Sequence, residues 1–397
     1  MLFRSPFVDT WASVSSGGLG VSENFLYTVE GFQEYYDHLT ERGKVVAVRW
    51  LIDAPRFVST FATVLEKNGV PPQDVYKHIL IVSSDSTEKD PSVTMSILSK
   101  EPFTSAETAF LSDSFSKKGY KPIIIPEQIA LEPYSKLLNN QITLQEFYEF
   151  FPTKAFPVTD DSPYFLSFEK PFPRILELLL YISIIIAAIF LVGPYFWLRK
   201  KDEPIESTKL KTGSIILYFA SLGTGFILIE LALLQKLILL LGNPTMTFAI
   251  LLFTMLLSSG VGSLVSSRLV KNNTKNLAFV IAGITAVGVL YVMVSPTLIY
   301  SVISESFIQK VLISVGLLIP IGFLMGIPMP TGMRLVKAYK PIYVPWMWAI
   351  NGAFSVIGAV LSVVIGITYG ASYAMILGIV TYLVRSEERR VGKECRL

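Results

Sequence analysis

Residues 175–198, ILELLLYISIIIAAIFLVGPYFWL, hold a single acidic residue and no basic one in 24 positions. At 1.5 Å per residue a helix of that length measures about 36 Å, more than the roughly 30 Å hydrocarbon thickness of a bilayer. The stretch therefore reads as a membrane span. Working downstream, the same reading applies to 213–241, 245–267, 277–294, 311–330, 345–369 and 371–384. That predicts seven spans, the last cut short. Upstream, residues 6–170 are mixed in polarity and read as a water-facing α/β module, with Pro171 and Pro173 marking the linker to a helical membrane module over 171–384.

Composition agrees with this division. Of 397 residues 51% are hydrophobic and 16% charged, where a soluble domain carries roughly 25% charge. The mean hydropathy is +0.52. The net charge of +3 is small and no basic stretch is interleaved with aromatics, which argues against a nucleic-acid partner. Two histidines, His38 and His78, and one cysteine, Cys395, are too few for a zinc or iron–sulfur site or a disulfide, so no metal is expected.

In the water-facing module, apolar residues Phe25, Val29, Phe32, Tyr36 and Leu39 recur at helical spacing. They predict a helix over 23–42 capped by Ser22 and closed by Gly43. A β-branched strand follows at 44–50, a second amphipathic helix at 55–68, strands at 78–83 and 93–98, a helix at 105–118 and a strand at 120–125. Alternation of this kind predicts a mainly parallel, doubly wound sheet with the 78–98 hairpin at its edge. GGLG at 17–20 precedes a helix but follows no visible strand, so it reads as a loop rather than a nucleotide-binding turn.

Several motifs together point to one family. VDTWASVSSGGLGVSENFLYTVEGF (8–32), VVAVRW (45–50), EPFTSAE (101–107) and VTDDSPYF (158–165) resemble the C-terminal half of the spermidine synthase-like domain of large bacterial membrane proteins. The stretches 222–245, 258–269, 322–335 and 344–362 are similar to the segments that follow that domain in the same proteins. The resemblance implies the second half of a Rossmann-like, methyltransferase-type domain followed by an all-α polytopic bundle in a bacterial inner membrane. It also implies group transfer from S-adenosylmethionine, or its decarboxylated form, to an amine or other small-molecule acceptor, with the donor-binding half missing. Asp9 matches the second carboxylate of that family's substrate-loop pair and is the expected catalytic residue; the first falls at Pro6. Glu23, Asp160 and Asp161 are the expected substrate-binding carboxylates, with helix-end and turn-forming roles as the alternatives. A glutamine of the family is replaced by Arg49-Trp50, and a cation there is expected to oppose a polyamine. The competing reading is a transporter or membrane scaffold whose water-facing module binds or regulates without catalysis.

The ends read differently from the rest. RSEERRVGKECR (385–396) resembles the translation of a sequencing adapter, as do residues 2–5 more briefly. Native sequence is accordingly expected from Pro6 to Val384, the alternative for the tail being a solvated charged terminus.

Within the membrane module Glu230 lies deep in the second span, where an ionised carboxylate is costly and is by default a functional candidate, a proton relay or a cation site, the alternative being a neutral or Lys-paired structural glutamate that fixes helix register. Gln235 and Lys236 follow on the same helix, and Asn351 reads as interhelical glue. Gly322 with Gly326, Gly260 with Gly262 and Ser263, and Gly352 with Ser355 and Gly358 predict close helix packing. Arg199, Lys200, Lys201, Lys209, Lys211, Arg268, Lys271, Lys275, Arg334, Lys337 and Lys340 fall in alternate loops, against only Lys310 in the others. This places the basic loops in the cytoplasm. One crossing then sets the water-facing module outside, away from an adenosylmethionine donor, unless the first segment does not fully span.

Overall fold

The computed structural model describes residues 2–6, 22–85, 92–199, 212–270, 274–339 and 341–383. The chain forms two compact units that divide between Arg174 and Ile175.

The first unit is built on a six-stranded sheet of β1 (Leu2–Pro6), β2 (Lys44–Trp50), β3 (Ile79–Ser83), β4 (Val93–Ser99), β5 (Lys121–Ile125) and β6 (Ile129–Ala130). The strand order is β1-β2-β4-β3-β5-β6. Only β1 and β2 pair in parallel; the other four pairings are antiparallel. The expected mainly parallel sheet is therefore corrected, and the reason is local. Because β4 runs antiparallel to both β2 and β3, the strands β1, β2 and β3 all point the same way, as the intervening helices α1 (Val29–Asp37) and α2 (Ala54–Lys67) require. However, β4 folds back from β3 into the slot between β2 and β3, so the hairpin lies inside the sheet and not at its edge.

Strand alternation loads both faces. Val45, Ala47, Ile79, Ile81 and Leu98 join one core with Phe32 of α1 and Phe57, Phe61 and Leu65 of α2. Val46, Leu80, Val82 and Ile97 join a second, smaller core with Leu111 and Phe115 of α3 (Ser105–Lys117). Phe57 and Phe61 are fully buried, each contributing about 1.5–3 kcal/mol on transfer from water. Tyr36 joins Phe57 and Phe61 in the first core, with Tyr35 only partly covered. EPFTSAE is explained structurally: Thr104 and Glu107 form a reciprocal capping box at the start of α3. Short helices α4 (Tyr134–Leu138) and α5 (Leu144–Phe150) complete the unit.

The predicted helix over 23–42 is shorter than its apolar spacing suggested. Residues Phe25–Tyr27 form a 3-10 turn, and α1 starts only at Val29, because Thr28 and not Ser22 caps it: the Thr28 hydroxyl accepts from the Gly31 N–H at 3.0 Å.

The second unit is helical: α6 (Arg174–Arg199), α7 (Thr212–Leu241), α8 (Pro244–Leu269), α9 (Thr274–Val302), α10 (Phe307–Met325), α11 (Pro328–Tyr339), α12 (Val344–Thr368) and α13 (Ala371–Leu383). Among the described residues six spans are long and apolar enough to cross a membrane, and Ala371–Leu383 is a shorter apolar helix. This is a membrane protein, its bundle surface rich in apolar side chains that can meet lipid, such as Leu264, Phe279 and Met293. The fifth span breaks at Gly326-Ile327, and Pro328 opens α11, as a residue without an N–H can at a helix start.

Small residues set the helix contacts, though not all those expected. A Cβ on Gly262 would run into the Phe323 carbonyl, and one on Gly326 into that of Ser259, so α8 and α10 touch backbone to backbone. A Cβ on Gly223 would meet the Asn351 carbonyl, and one on Gly358 would meet Thr224 and Ile227, which joins α7 to α12. Gly260 and Gly352, by contrast, have open space around them and take no part.

Candidate functional site

Two segments of the first unit, 22–30 and 158–165, are zipped together. The Asn24 N–H donates to the Pro163 carbonyl at 2.7 Å and the Val29 N–H to the Val158 carbonyl at 2.8 Å. Asp160 and Asp161 occupy the middle of a tight turn closed by the Ser162 N–H on the Thr159 carbonyl at 2.9 Å, so the turn-forming alternative holds for both. Asp160 does more than turn the chain. Its Oδ1 accepts from the Thr28 hydroxyl at 2.6 Å, while its backbone N–H donates to Oε2 of Glu30 at 3.0 Å. The first-turn carboxylate of α1 is thus Glu30, and burial together with Asp160 raises its pKa above the ordinary value.

Glu23 lies on the same seam. It is hydrogen-bonded to Tyr164, and burial pushes its carboxyl up to about 7 despite that bond. Three of the expected substrate carboxylates, Glu23, Asp160 and Asp161, are thereby brought to one seam, joined by Glu30 and Thr28, which sequence reading passed over. The signal for Glu30 was present: it follows a Thr that can cap, at the position where a first-turn acid is favoured. Asp9 and GGLG lie outside the described residues.

Beneath the seam sits a buried ionic floor. Arg49 Nε lies 2.9 Å from Asp53 Oδ2, and the two side chains are 2% and 0% exposed. The Arg49 guanidinium stands 5.1 Å from the Tyr27 ring centre and 5.7 Å from that of Phe165. Arg56, also buried, donates to the carbonyls of Tyr164, Phe165 and Ser167, and so pins the strand that presents Tyr164. Burial lowers the Arg56 pKa to about 10, which leaves it charged at neutral pH. The same burial, with Arg56 nearby, holds Lys154 down to about 8. The expectation that Arg49 would repel a cationic ligand is corrected: its charge is enclosed and balanced by Asp53, so it props up the seam.

The membrane candidates are dispersed. Glu230 and Gln235 are both buried, each 8% exposed. Lys236 Nζ donates to the Ser372 hydroxyl at 2.9 Å. Six residues after Glu230 on one helix, Lys236 projects about 120° away from it, and no ion pair joins them among the described residues. The Lys-paired glutamate is thus excluded. Asn351 does act as glue, its Nδ2 donating to the Phe219 carbonyl at 3.1 Å across α7 and α12.

No protein-family model, curated protein or solved structure matches the chain.

Proposed function

We propose that the first unit binds a cationic amine along the seam of Glu23, Glu30 and Asp160, as the acceptor side of a spermidine synthase-like, methyltransferase-type transferase anchored in a bacterial inner membrane by the helical unit. The observation that carries the reading is Glu23: a largely enclosed carboxyl, held by Tyr164, with its pKa moved to about 7 and further carboxylates on the same seam. A carboxyl near neutrality can take a proton from an alkylammonium or hold its charge, and an amine must lose a proton to become a nucleophile. The common direction of β2 and β3, joined through α2, supports a Rossmann-like ancestry, since a helical crossover between strands of one sheet produces it. S-adenosylmethionine or its decarboxylated form would be the donor, and Asp9 the base beside the acceptor nitrogen.

The test is calorimetric titration of putrescine into the full chain in detergent micelles. Binding that weakens about tenfold or more in Glu23→Gln, as loss of one charge-assisted contact predicts, supports the reading. No binding by the unsubstituted chain, or equal affinity in Glu23→Gln, removes it. A second reading is a transporter or scaffold with a non-catalytic amine-binding module. It is favoured by the basic loops, which put the first unit on the side away from cytoplasmic adenosylmethionine. Uptake of labelled putrescine into vesicles carrying the protein, without modification of the amine, would select it.

A further inference from the structure

The second unit buries a carboxylate, Glu230, that forms no ion pair among the described residues, and helix register identifies what it faces. Glu230 sits eleven residues before the end of α7 at Leu241, about 16 Å along the helix from that end. Three independent contacts fix α7 against α12. Asn351 bonds Phe219, the Thr224 hydroxyl bonds the Phe354 carbonyl at 3.3 Å, and Gly358 abuts Thr224 and Ile227. Both sequence numbers rise together along these contacts, so the helices run parallel, and carrying the same offset forward brings Glu230 level with Ser362.

The two residues also share the interface. On α7, Glu230 falls about 20° from Gly223 around the helix, inside the arc spanned by Phe219, Gly223 and Ile227. On α12, Ser362 falls about 40° from Gly358, inside the arc spanned by Phe354, Gly358 and Ser355. Ser362 is 1% exposed, and among the described residues its hydroxyl has no hydrogen-bond partner. Helix serines normally satisfy themselves on the carbonyl four residues back, as Ser355 does on Asn351 at 2.9 Å. Ser362 forgoes that bond.

An uncompensated carboxylate at this depth is too costly to remain ionised without a partner. One carboxylate and one hydroxyl offer too few oxygens for an alkali metal ion. They suit a proton well, because a hydroxyl can accept from a neutral carboxyl and donate to an ionised one, serving both states. We propose that Glu230 and Ser362 form an intramembrane proton-loading site between α7 and α12: a proton from water adds to a Glu230 carboxylate oxygen on loading and returns to water on release, with no other bond changed. This inference is independent of the amine reading, since it involves only the helical unit.

The test is infrared difference spectroscopy of the full chain reconstituted in phosphatidylcholine vesicles, following the C=O stretch of protonated carboxyls as pH is swept. The expected result is a band that appears and disappears reversibly and is missing in Glu230→Gln. In Ser362→Ala the midpoint should move to higher pH, by about tenfold in proton concentration, because the hydroxyl's charge-assisted bond to the ionised carboxylate is the stronger of its two and its loss favours the protonated form; Ser362→Thr should restore it. A Glu230 band present at every pH, or at none, would overturn the proposal by making the residue a fixed structural group. An unmoved midpoint in Ser362→Ala would overturn it equally. Glu230→Gln mimics the neutral carboxyl in shape; should it nonetheless fail to insert, the Ser362→Ala spectra alone decide.

Discussion

Arg49 and Asp53 lie four residues apart, 2.9 Å from Nε to Oδ2, and both are cut off from solvent. They bridge the end of β2 and the start of α2, which makes the pair a joint between sheet and helix under the acidic seam. Removing one partner strands the other charge in a medium that cannot solvate it, which typically costs about 3–5 kcal/mol. Arg49→Met should therefore lower the melting temperature of the first unit markedly. The double variant Arg49→Met/Asp53→Leu should recover much of that loss, because a neutral pair needs no compensation. Thermal unfolding of both would check it, and a double variant as unstable as the single one would show that packing on Tyr27 and Phe165, and not charge, holds the joint.

How far the sequence disclosed this arrangement depended on the range of the interactions involved. The strand at Lys44–Trp50 and the helix at Ala54–Lys67 were readable because their apolar period and their Gly43 and Gly69 stops are local. The slot taken by β4 was not, since adjacency of β2 and β4 is decided by pairing across more than forty residues. Glu23 and Asp160 could be named singly as acidic candidates. Their meeting could not be read, because Thr28 reaches Asp160 across 132 positions. Arg49 misled for a different reason: its partner Asp53 is close in sequence, but only the fold buries both. In the bundle, Gly260 and Gly262 look equivalent in the chain, and only the neighbouring helix distinguishes them.

Glu23 should leave a signature in the pH dependence of stability. Its pKa rises from 4.5 to about 7 in the folded unit, so between those values the folded state keeps a proton that the unfolded chain has released. The stabilisation it gives is complete below 4.5 and is lost as pH rises through about 7. Glu23→Gln removes the titration. Melting temperatures of the variant and the unsubstituted chain should diverge across this range, with the variant the more stable above neutrality; parallel curves would place Glu23 in a solvated environment.

The Gly260 and Gly262 pair gives an internal control for helix packing. Both lie in α8, and both should gain about 1 kcal/mol of helix propensity on change to Ala. Only at Gly262 would the added methyl strike the Phe323 carbonyl, and overpacking of that kind costs about 1–3 kcal/mol. Gly260→Ala should therefore be neutral or stabilising in detergent melts and Gly262→Ala destabilising. Equal behaviour of the two would mean that α8 and α10 do not approach as closely as the carbonyl contacts at Gly262 and Gly326 require.

Sidedness decides whether the acidic seam can ever meet a cytoplasmic donor. Alternate connections, with the helix ends that flank them, carry eleven basic residues against one, and short connections of this kind are retained on the cytoplasmic side. Lys201→Cys, Lys271→Cys and Lys337→Cys, each made with Cys395→Ser, should thus resist a membrane-impermeant thiol reagent in intact cells and react after permeabilisation. A cysteine in the first unit, such as Ser114→Cys on α3, should react without permeabilisation, because the first span is crossed once between it and those loops. That outcome would separate the seam from cytoplasmic adenosylmethionine and favour amine binding coupled to transport. Labelling of all three loop cysteines in intact cells, with Ser114→Cys protected, would invert the topology and return the seam to the side where a transferase finds its donor.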